Sequence, residues 1–407
     1  AETPLFSIDQ ELGRTHGCVP RTAVIANISD PIRLERVFTQ HRPDIVLHAA
    51  AYKHVPLMES FPCDAVHNNL RGTRVLAESA RKHGAKRFVM ISTDKAVRPS
   101  NVMGATKRLG EMLVGSMNGG GTRFSSVRFG NGLGSNGSVV PTFQRQIEAG
   151  GPVTVTHAEM TRYFMTIPEA VSLVLQCASM ADESDVYVLD MGTPVRIMDL
   201  ARTMIALSGL RLGTDIEIAV TGLRPGEKIH EELVTYGEAE RETSVPKVRV
   251  LRRETDVIAP DLLRRTLLYM EEVARRQDPD STLKVLWKII GLDGEVSTEA
   301  AHPASRQHVE QLRAEWETML EETVVEPRDG ELDGAKGRVL VVDDDETQLS
   351  MVVRMIERFG VRCVAATSGR AAIDLVRDVP PGGILCVICD FFLPDMNGDE
   401  ILRRLRE

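Results

Sequence analysis

The chain reads as an α/β protein: a doubly wound, parallel sheet followed by a second, smaller α/β unit. Three observations carry this. Short apolar runs alternate with helical segments from residue 23 to about residue 250, which is the rhythm of βαβ units. The same rhythm restarts at Arg338, after a polar and acidic stretch. Charged residues directly follow two of the apolar runs, as Asp94-Lys95 and Asp343-Asp344-Asp345. That is the strand end at which open α/β sheets bind ligands.

Taken in order, Ala23-Val24-Ile25-Ala26 predicts a strand, and Pro31 to His41 a helix with Asp30 as N-cap and Pro31 at its first position. Asp44 to Ala51 predicts the next strand and Asn68 to His83 a helix. Arg87 to Ser92 is short and apolar, as a buried parallel strand should be. Ser125 to Phe129 predicts another strand and Pro141 to Ala149 a helix. Residues 1–252 then form the first domain. Residues 253–337 read as a helical connector, with helices at Leu262 to Arg276 and His308 to Glu322, closing in a flexible linker from Glu326 to Gly337. Residues 338–407 form the second unit. Its strands are expected at Val339 to Val342, Arg362 to Ala366 and Ile384 to Cys389, and its helices at Thr347 to Phe359 and Arg370 to Asp378.

Composition excludes several classes. At 407 residues, with 43% hydrophobic and 26% charged residues, the chain can bury ordinary cores. A net charge of -9 without a basic stripe argues against nucleic acid as partner. No apolar run approaches the roughly 18 residues of a membrane span, and Ala1-Glu2-Thr3-Pro4 does not read as a signal peptide. Six cysteines, at 18, 63, 177, 363, 386 and 389, are scattered, which suits reduced thiols in a cytoplasmic protein. Cys386 and Cys389 lie inside an apolar run, where residues i and i+3 of a strand face opposite ways, so neither zinc nor redox chemistry is expected of them.

The chemistry concentrates in Ser92-Thr93-Asp94-Lys95 and Met103-Gly104-Ala105-Thr106-Lys107. An acid and an amine at one strand end can serve as general acid and base once their surroundings tune them. Met103 and Lys107, at i and i+4, share one helix face beside them. Gly132-Leu133-Gly134-Ser135-Asn136-Gly137 matches a dinucleotide fingerprint literally. It comes about 100 residues into the βαβ series rather than in its first unit, so it is not expected to hold a dinucleotide. Arg162 and Arg224 suit a diphosphate, because guanidinium forks match phosphate oxygens. His48 and His54 have no cluster of ligand-type partners and read as structure or pocket wall.

Residues 1 to about 250 resemble the extended short-chain dehydrogenase/reductase superfamily. Within it they are most similar to UDP-N-acetylglucosamine 4,6-dehydratases of the capsule and flagellin-glycosylation type. The motifs are His48-Ala49-Ala50-Ala51-Tyr52-Lys53-His54-Val55-Pro56, Ser92 to Lys107, Arg128-Phe129-Gly130-Asn131, Thr161-Arg162-Tyr163-Phe164-Met165-Thr166 and Gly222-Leu223-Arg224-Pro225-Gly226-Glu227-Lys228. The resemblance implies a Rossmann-like fold, a bound NAD and a UDP-sugar substrate. In the family's reaction, C4 of the sugar is oxidised by NAD, C5 loses its proton, water leaves from C6, and hydride returns at C6. Asp94 would protonate the leaving hydroxyl, Lys95 take the C5 proton, Thr93 bond the 4-oxygen, and Lys107 hold the nicotinamide ribose.

Met103 stands where the superfamily usually has a tyrosine, as in the family's membrane-anchored branch. A thioether cannot exchange a proton, so Asp94 or water relayed through Thr93 remain as bases for the C4 hydroxyl, and a silent site is the alternative. By the same resemblance Asn27, with Ile28, would lie at the adenine end of the cofactor, where an Asp is commoner. Ala49, Ala50, Ala51 and Lys53 would line the cofactor. Asn69 would lie beside it or simply cap a helix. His54, Asn131, Arg162, Arg224 and Glu227 would face the UDP-sugar. A 4-epimerase and a catalytically silent sugar-binding domain are the competing readings.

Residues 338–407 resemble the receiver domain of response regulators, a flavodoxin-like fold. This implies Asp390 as phosphoacceptor, Mg²⁺ held by Asp343, Asp344, Asp390 and the carbonyl of Phe392, and a histidine kinase as partner. Against both resemblances the ends read as cut. No glycine-rich turn precedes Ala23, and Glu407 stops in what would be the receiver's third helix. The enzyme family further implies a homo-oligomer, with membrane attachment only through sequence upstream.

Overall fold

The computed structural model describes residues 2–135, 137–180, 186–235, 238–253, 259–292, 338–344, 346–357, 361–377, 384–389, 393, 395–396, 400–401 and 404. The chain divides into two compact units, Ala1–Arg313 and Ala314–Glu407.

The first unit is built on a six-stranded sheet. Its spatial order is Ile45–His48, Arg87–Ile91, Arg123–Arg128, Val186–Leu189, Val248–Arg253 and Glu238–Glu242. The first four strands are parallel, with Val46 opposite Phe88 and Val89 opposite Ser125. The last two run antiparallel, so the sheet is mixed at one edge rather than parallel throughout. Alternation along Arg87–Ile91 divides the core. Val89 packs with Leu173, Val174 and Cys177 of helix Ile167–Ser179 on one face. Met90 meets Gly110 of helix Val102–Ser116 on the other. A smaller lobe pairs Val153–Val155 with Ile218–Val220 and covers them with helices Val139–Glu148 and Ile197–Leu207.

Helix Pro31–His41 starts as its sequence predicts, with Asp30 Oδ1 accepting from Arg33 N at 3.0 Å. The strand expected at Ala23 to Ala26 does not form. Those residues are irregular, with Ile25 exposed, because a strand needs a ladder partner and none of the described strands pairs with them. The helix expected from Asn68 instead enters through a π-helical segment, Val66–Arg71, before the α-helix Gly72–Lys82. The stretch after Arg253 also differs from the expected connector. Helices Pro260–Arg275 and Pro279–Leu292 belong to the first unit. Leu267 and Met270 are fully buried, and Glu271 grips Arg74 through Nε at 2.6 Å and Nη2 at 2.7 Å. The second of these helices buries Leu286, Ile289 and Ile290, within an apolar run, Leu283 to Leu292, that the expected polar stretch did not allow for. The expected helix His308 to Glu322 and the linker lie outside the described residues.

In the second unit the strand Arg338–Val342 is central, flanked in parallel by Cys363–Ala366 and Ile384–Cys389. Helices Glu346–Glu357 and Gly369–Arg377 alternate with them. Leu340 and Val342 face one core, Val339 and Val341 the other, as expected of a strand buried on both sides. No described helix in either unit is long and apolar enough to cross a membrane.

Candidate active site

Strand Arg87–Ile91 carries Ser92-Thr93-Asp94-Lys95 to the C-terminal edge of the sheet. The chain then closes a single 3₁₀ turn, Asp94–Ala96. The helix that follows is capped by Asn101, whose Oδ1 accepts from Gly104 N at 2.8 Å. At Gly104 the helix backbone presses on the turn: a Cβ there would stand 2.1 Å from the Lys95 carbonyl oxygen. Only glycine permits that approach.

These pieces border a cleft of about 610 Å³. Thr93 and Lys95 line it from the turn, and Met103 and Lys107 from successive turns of the helix. The shared face expected from their spacing is therefore present. Ala49, Ala51, Lys53 and His54 line it from the loop after Ile45–His48, and Asn131 from beyond the third strand. The loop with the literal dinucleotide fingerprint lines it too, through Gly132, Ser135 and Gly137.

Asp94 is completely buried, beneath this wall rather than in it. Its Oδ1 accepts from Thr93 Oγ1 at 2.8 Å and from Lys95 Nζ at 2.9 Å. Its Oδ2 has no partner among the described residues. A Cβ on Gly130, which does line the cleft, would stand 3.4 Å from that oxygen. Lys95 Nζ also lies 3.6 Å from Glu231 Oε1. Burial pushes the lysine's pKa down, but Asp94 and Glu231 more than offset this, so its ammonium is held above the ordinary lysine range.

Lys107 behaves differently. Its Nζ donates to the Ile91 carbonyl at 2.6 Å. Burial brings its pKa from 10.5 to about 8, against the pull of Glu111 one turn on. His48 is buried against Thr73, Nε2 to Oγ1 2.8 Å. Burial first, and Lys107 second, push its pKa down to about 3. This neutral histidine is buried behind the cleft and does not line it.

Beneath the turn runs a buried ionic network. Arg128 forks onto Glu111 through Nε at 2.9 Å and Nη2 at 2.8 Å, and donates from Nη1 to Glu238 at 2.8 Å. Ser92 Oγ donates to Glu111 at 2.6 Å, which ties the network to the strand end.

Other expected site residues stand apart from the cleft. Asn69 is buried inside the π-helical segment. Its Oδ1 accepts from Tyr52 N at 2.7 Å, and its Nδ2 donates to Tyr52 O at 3.0 Å and to Thr106 Oγ1 at 3.1 Å. Neither a cap nor a free cofactor ligand, it clamps the Ala49 to Lys53 loop. Asn27 uses its Oδ1 on Ser29, N and Oγ both at 3.0 Å, and Ile28 packs against Gly72. Neither they nor Ala50 line the cleft. Arg162 is buried, and its guanidinium donates to the carbonyls of Thr161, Lys228 and Ile229. It staples loops instead of offering a free fork to a diphosphate. Glu227 lies 3.7 Å from it and accepts from Arg224 N, while the Arg224 residue itself is exposed.

Sequence reasoning missed Glu231, Glu111 and Gly104. Glu231 and Glu232 are adjacent acids, yet the first is buried and the second half-buried. In the second unit, Asp343 and Asp344 follow the central strand and are oxygen donors of the kind Mg²⁺ takes. Asp390 and Phe392 lie outside the described residues.

A mixed Rossmann-like sheet, with a Thr-Asp-Lys turn and an i, i+4 Met-Lys pair at one strand end, defines an extended short-chain dehydrogenase/reductase. The chain belongs to the polysaccharide biosynthesis protein family, whose model matches residues 1–253. Residues 339–407 match the response regulator receiver domain. A capsular polysaccharide biosynthesis protein, CapD of Staphylococcus aureus, is 51% identical over 271 residues, covering 64% of this chain and 45% of CapD. A UDP-N-acetylglucosamine 4,6-dehydratase (inverting) of Campylobacter jejuni is 32% identical over 216 residues, covering 52% of this chain and 61% of that protein. A UDP-glucose 4-epimerase of Rickettsia canadensis is 38% identical over 201 residues, covering 48% and 57% respectively. The X-ray structure of Pen from Bacillus thuringiensis has the same fold. Its TM-score is 0.56 at 29% identity, covering 66% of this chain and 87% of that one. The chain spans less than half the length of CapD.

Proposed function

We propose that the first unit belongs to a UDP-N-acetylglucosamine 4,6-dehydratase of surface-glycan synthesis, joined to a phospho-accepting receiver. The observation that carries this reading is the Asp94–Lys95 pair, 2.9 Å apart, with Lys95 in the cleft wall and Asp94 buried just beneath it. Dehydration needs an acid at the C6 oxygen and a base at C5, whereas epimerisation at C4 needs neither.

Lys95, in the wall, takes the C5 proton in its neutral amine form, the minor form at neutral pH because its ammonium is held above the ordinary lysine range. Asp94 holds it, and with Oδ2 bare behind Gly130 it is the acid for the leaving hydroxyl. Thr93 bonds the 4-oxygen, and its hydroxyl already donates to Asp94, a short relay that stands in for the missing tyrosine. The small Ala49 and Ala51 and the recessed Lys107 fit the nicotinamide end of NAD. Asn27 and Ile28, engaged elsewhere, do not add to that fit. Bound NAD would supply oxidation at C4 and reduction at C6. Met103 in the cleft wall has no proton to exchange at C4.

The test is incubation of the full-length protein with NAD⁺ and UDP-N-acetylglucosamine in D₂O, followed by proton NMR. A new 6-deoxy methyl signal with deuterium at C5 is expected, and Lys95→Ala should abolish the C5 exchange. A 4-epimer instead would establish the epimerase reading. An unchanged sugar with folded, NAD-bound protein would sink both.

A further inference from the structure

The loop Gly226 to Glu231 reaches the catalytic turn from more than 120 positions along the chain, and it is fastened there. Gly226 O accepts from Ser100 Oγ and Asn101 Nδ2, both at 3.0 Å. Lys228 Nζ donates to Val97 O at 2.8 Å. A Cβ on Gly226 would stand 2.7 Å from Asn101 Cβ, and its φ is +73°, so the docking depends on glycine at that turn. What the loop delivers is Glu231. Its side chain is 2% exposed, Oε1 lies 3.6 Å from Lys95 Nζ, and Oε2 is buried with no partner among the described residues.

We infer that Glu231 is a positioning residue that, jointly with Asp94, stabilises the ammonium form of Lys95 and so strengthens it as the base for C5. This rests on the dehydratase reading. The physics is direct. A base is strengthened by partners that favour its protonated form, and a buried carboxylate within 4 Å of an amine does so strongly. The charged groups facing Lys95 are Asp94, Glu231 and Arg162, with Lys228 beyond Glu231. Of these, the two carboxylates act against burial and Arg162 acts with it. Burying a carboxylate with one oxygen bare is costly. That cost suits a group whose service is to another residue's charge more than it suits a structural tie.

The experiment is a pH titration of the intact protein labelled with ¹³C at lysine Cε, with the Lys95 signal assigned by its loss in Lys95→Arg. In Glu231→Gln the Lys95 midpoint should fall by about one unit, and in Glu231→Asp by less. Glu232→Gln, one residue away and paired with Arg98 instead, should leave it in place. With substrate, the rise of C5 deuterium exchange should move to lower pH in Glu231→Gln while its plateau drops by less than about tenfold. An unmoved midpoint in Glu231→Gln, or an equal fall in Glu232→Gln, would overturn the inference. The titration needs neither substrate nor turnover, so the two readings fail separately. A protein that makes no 6-deoxy sugar yet shifts its Lys95 midpoint refutes the dehydratase reading alone. One that makes the product without the shift refutes the role of Glu231 alone.

Discussion

Lys95 and Lys107 are both buried lysines within one cleft, yet their charges are driven in opposite directions. Lys95 has two carboxylates beside it. Lys107 has a backbone carbonyl for a partner and only the more distant pull of Glu111. The consequence for Lys107 can be measured. Its folded pKa of about 8 lies below its unfolded value of 10.5. Between those values the unfolded chain therefore binds more protons, and stability must rise with pH across that window. The rise attributable to this group is on the order of 3 kcal/mol. Lys107→Met should remove it, leaving a flatter profile of denaturant stability from pH 8 to 10.5. An identical slope in both proteins would contradict the buried placement. Of the site residues, those at i and i+4 on one helix were legible from spacing alone. Arg162 was not, since only the folded chain shows that three carbonyls already occupy its guanidinium.

At the scale of elements, helix Val102–Ser116 does two things. Its first turn, through Gly104, presses on the catalytic turn, and its third, through Glu111, anchors Ser92 and Arg128. Glu111 would rise in pKa on burial alone, but Arg128 and Arg108 hold it below the ordinary range. Glu111→Gln leaves two buried guanidinium groups short of a counter-charge. It should cost about 3 kcal/mol or more by urea denaturation at pH 7. A loss under 1 kcal/mol would mean that Glu238 alone can neutralise both arginines. That Met103 and Lys107 share a helix face was legible from their spacing, whereas the Asn101 cap was not read from the sequence. The π-helical segment Val66–Arg71 was not. Nothing in Val-His-Asn-Asn-Leu-Arg marks the change of winding, which sets Asn69 where it clamps Tyr52.

For the molecule as a whole, the two compact units correspond to the two rhythms of apolar runs, but the first reaches past the polar change near residue 253. Helices Pro260–Arg275 and Pro279–Leu292 are part of its core through Leu263, Leu267, Met270 and the Arg74–Glu271 fork. Arg74→Ala should lower the stability of the first unit by on the order of 2 kcal/mol, because Glu271 is left buried beside only the more distant Arg71. A chain ending at Arg253 should lose cooperative unfolding altogether. If such a chain melts as sharply as the intact one, these helices are decoration. Their membership in the core was not read from the sequence, although Leu283 to Leu292 is an apolar run broken only by Lys284, Lys288 and Gly291, because spacing alone cannot say what a helical face will meet.

Period-2 and period-3.6 patterning, strand-end charges and several ordered motifs determined the α/β class, both units, the family resemblance and the Thr93-Asp94-Lys95, Met103-Lys107 constellation. These are local facts, written within about 20 residues of chain. Only the tertiary structure decided which carboxylates share Lys95, that Asp94 lies under the cleft wall, that Ala23 to Ala26 form no strand, and that two edge strands run antiparallel. Each depends on residues far apart in sequence meeting after folding. A pKa, a bare oxygen and a ladder partner are properties of that meeting and of no single stretch of chain.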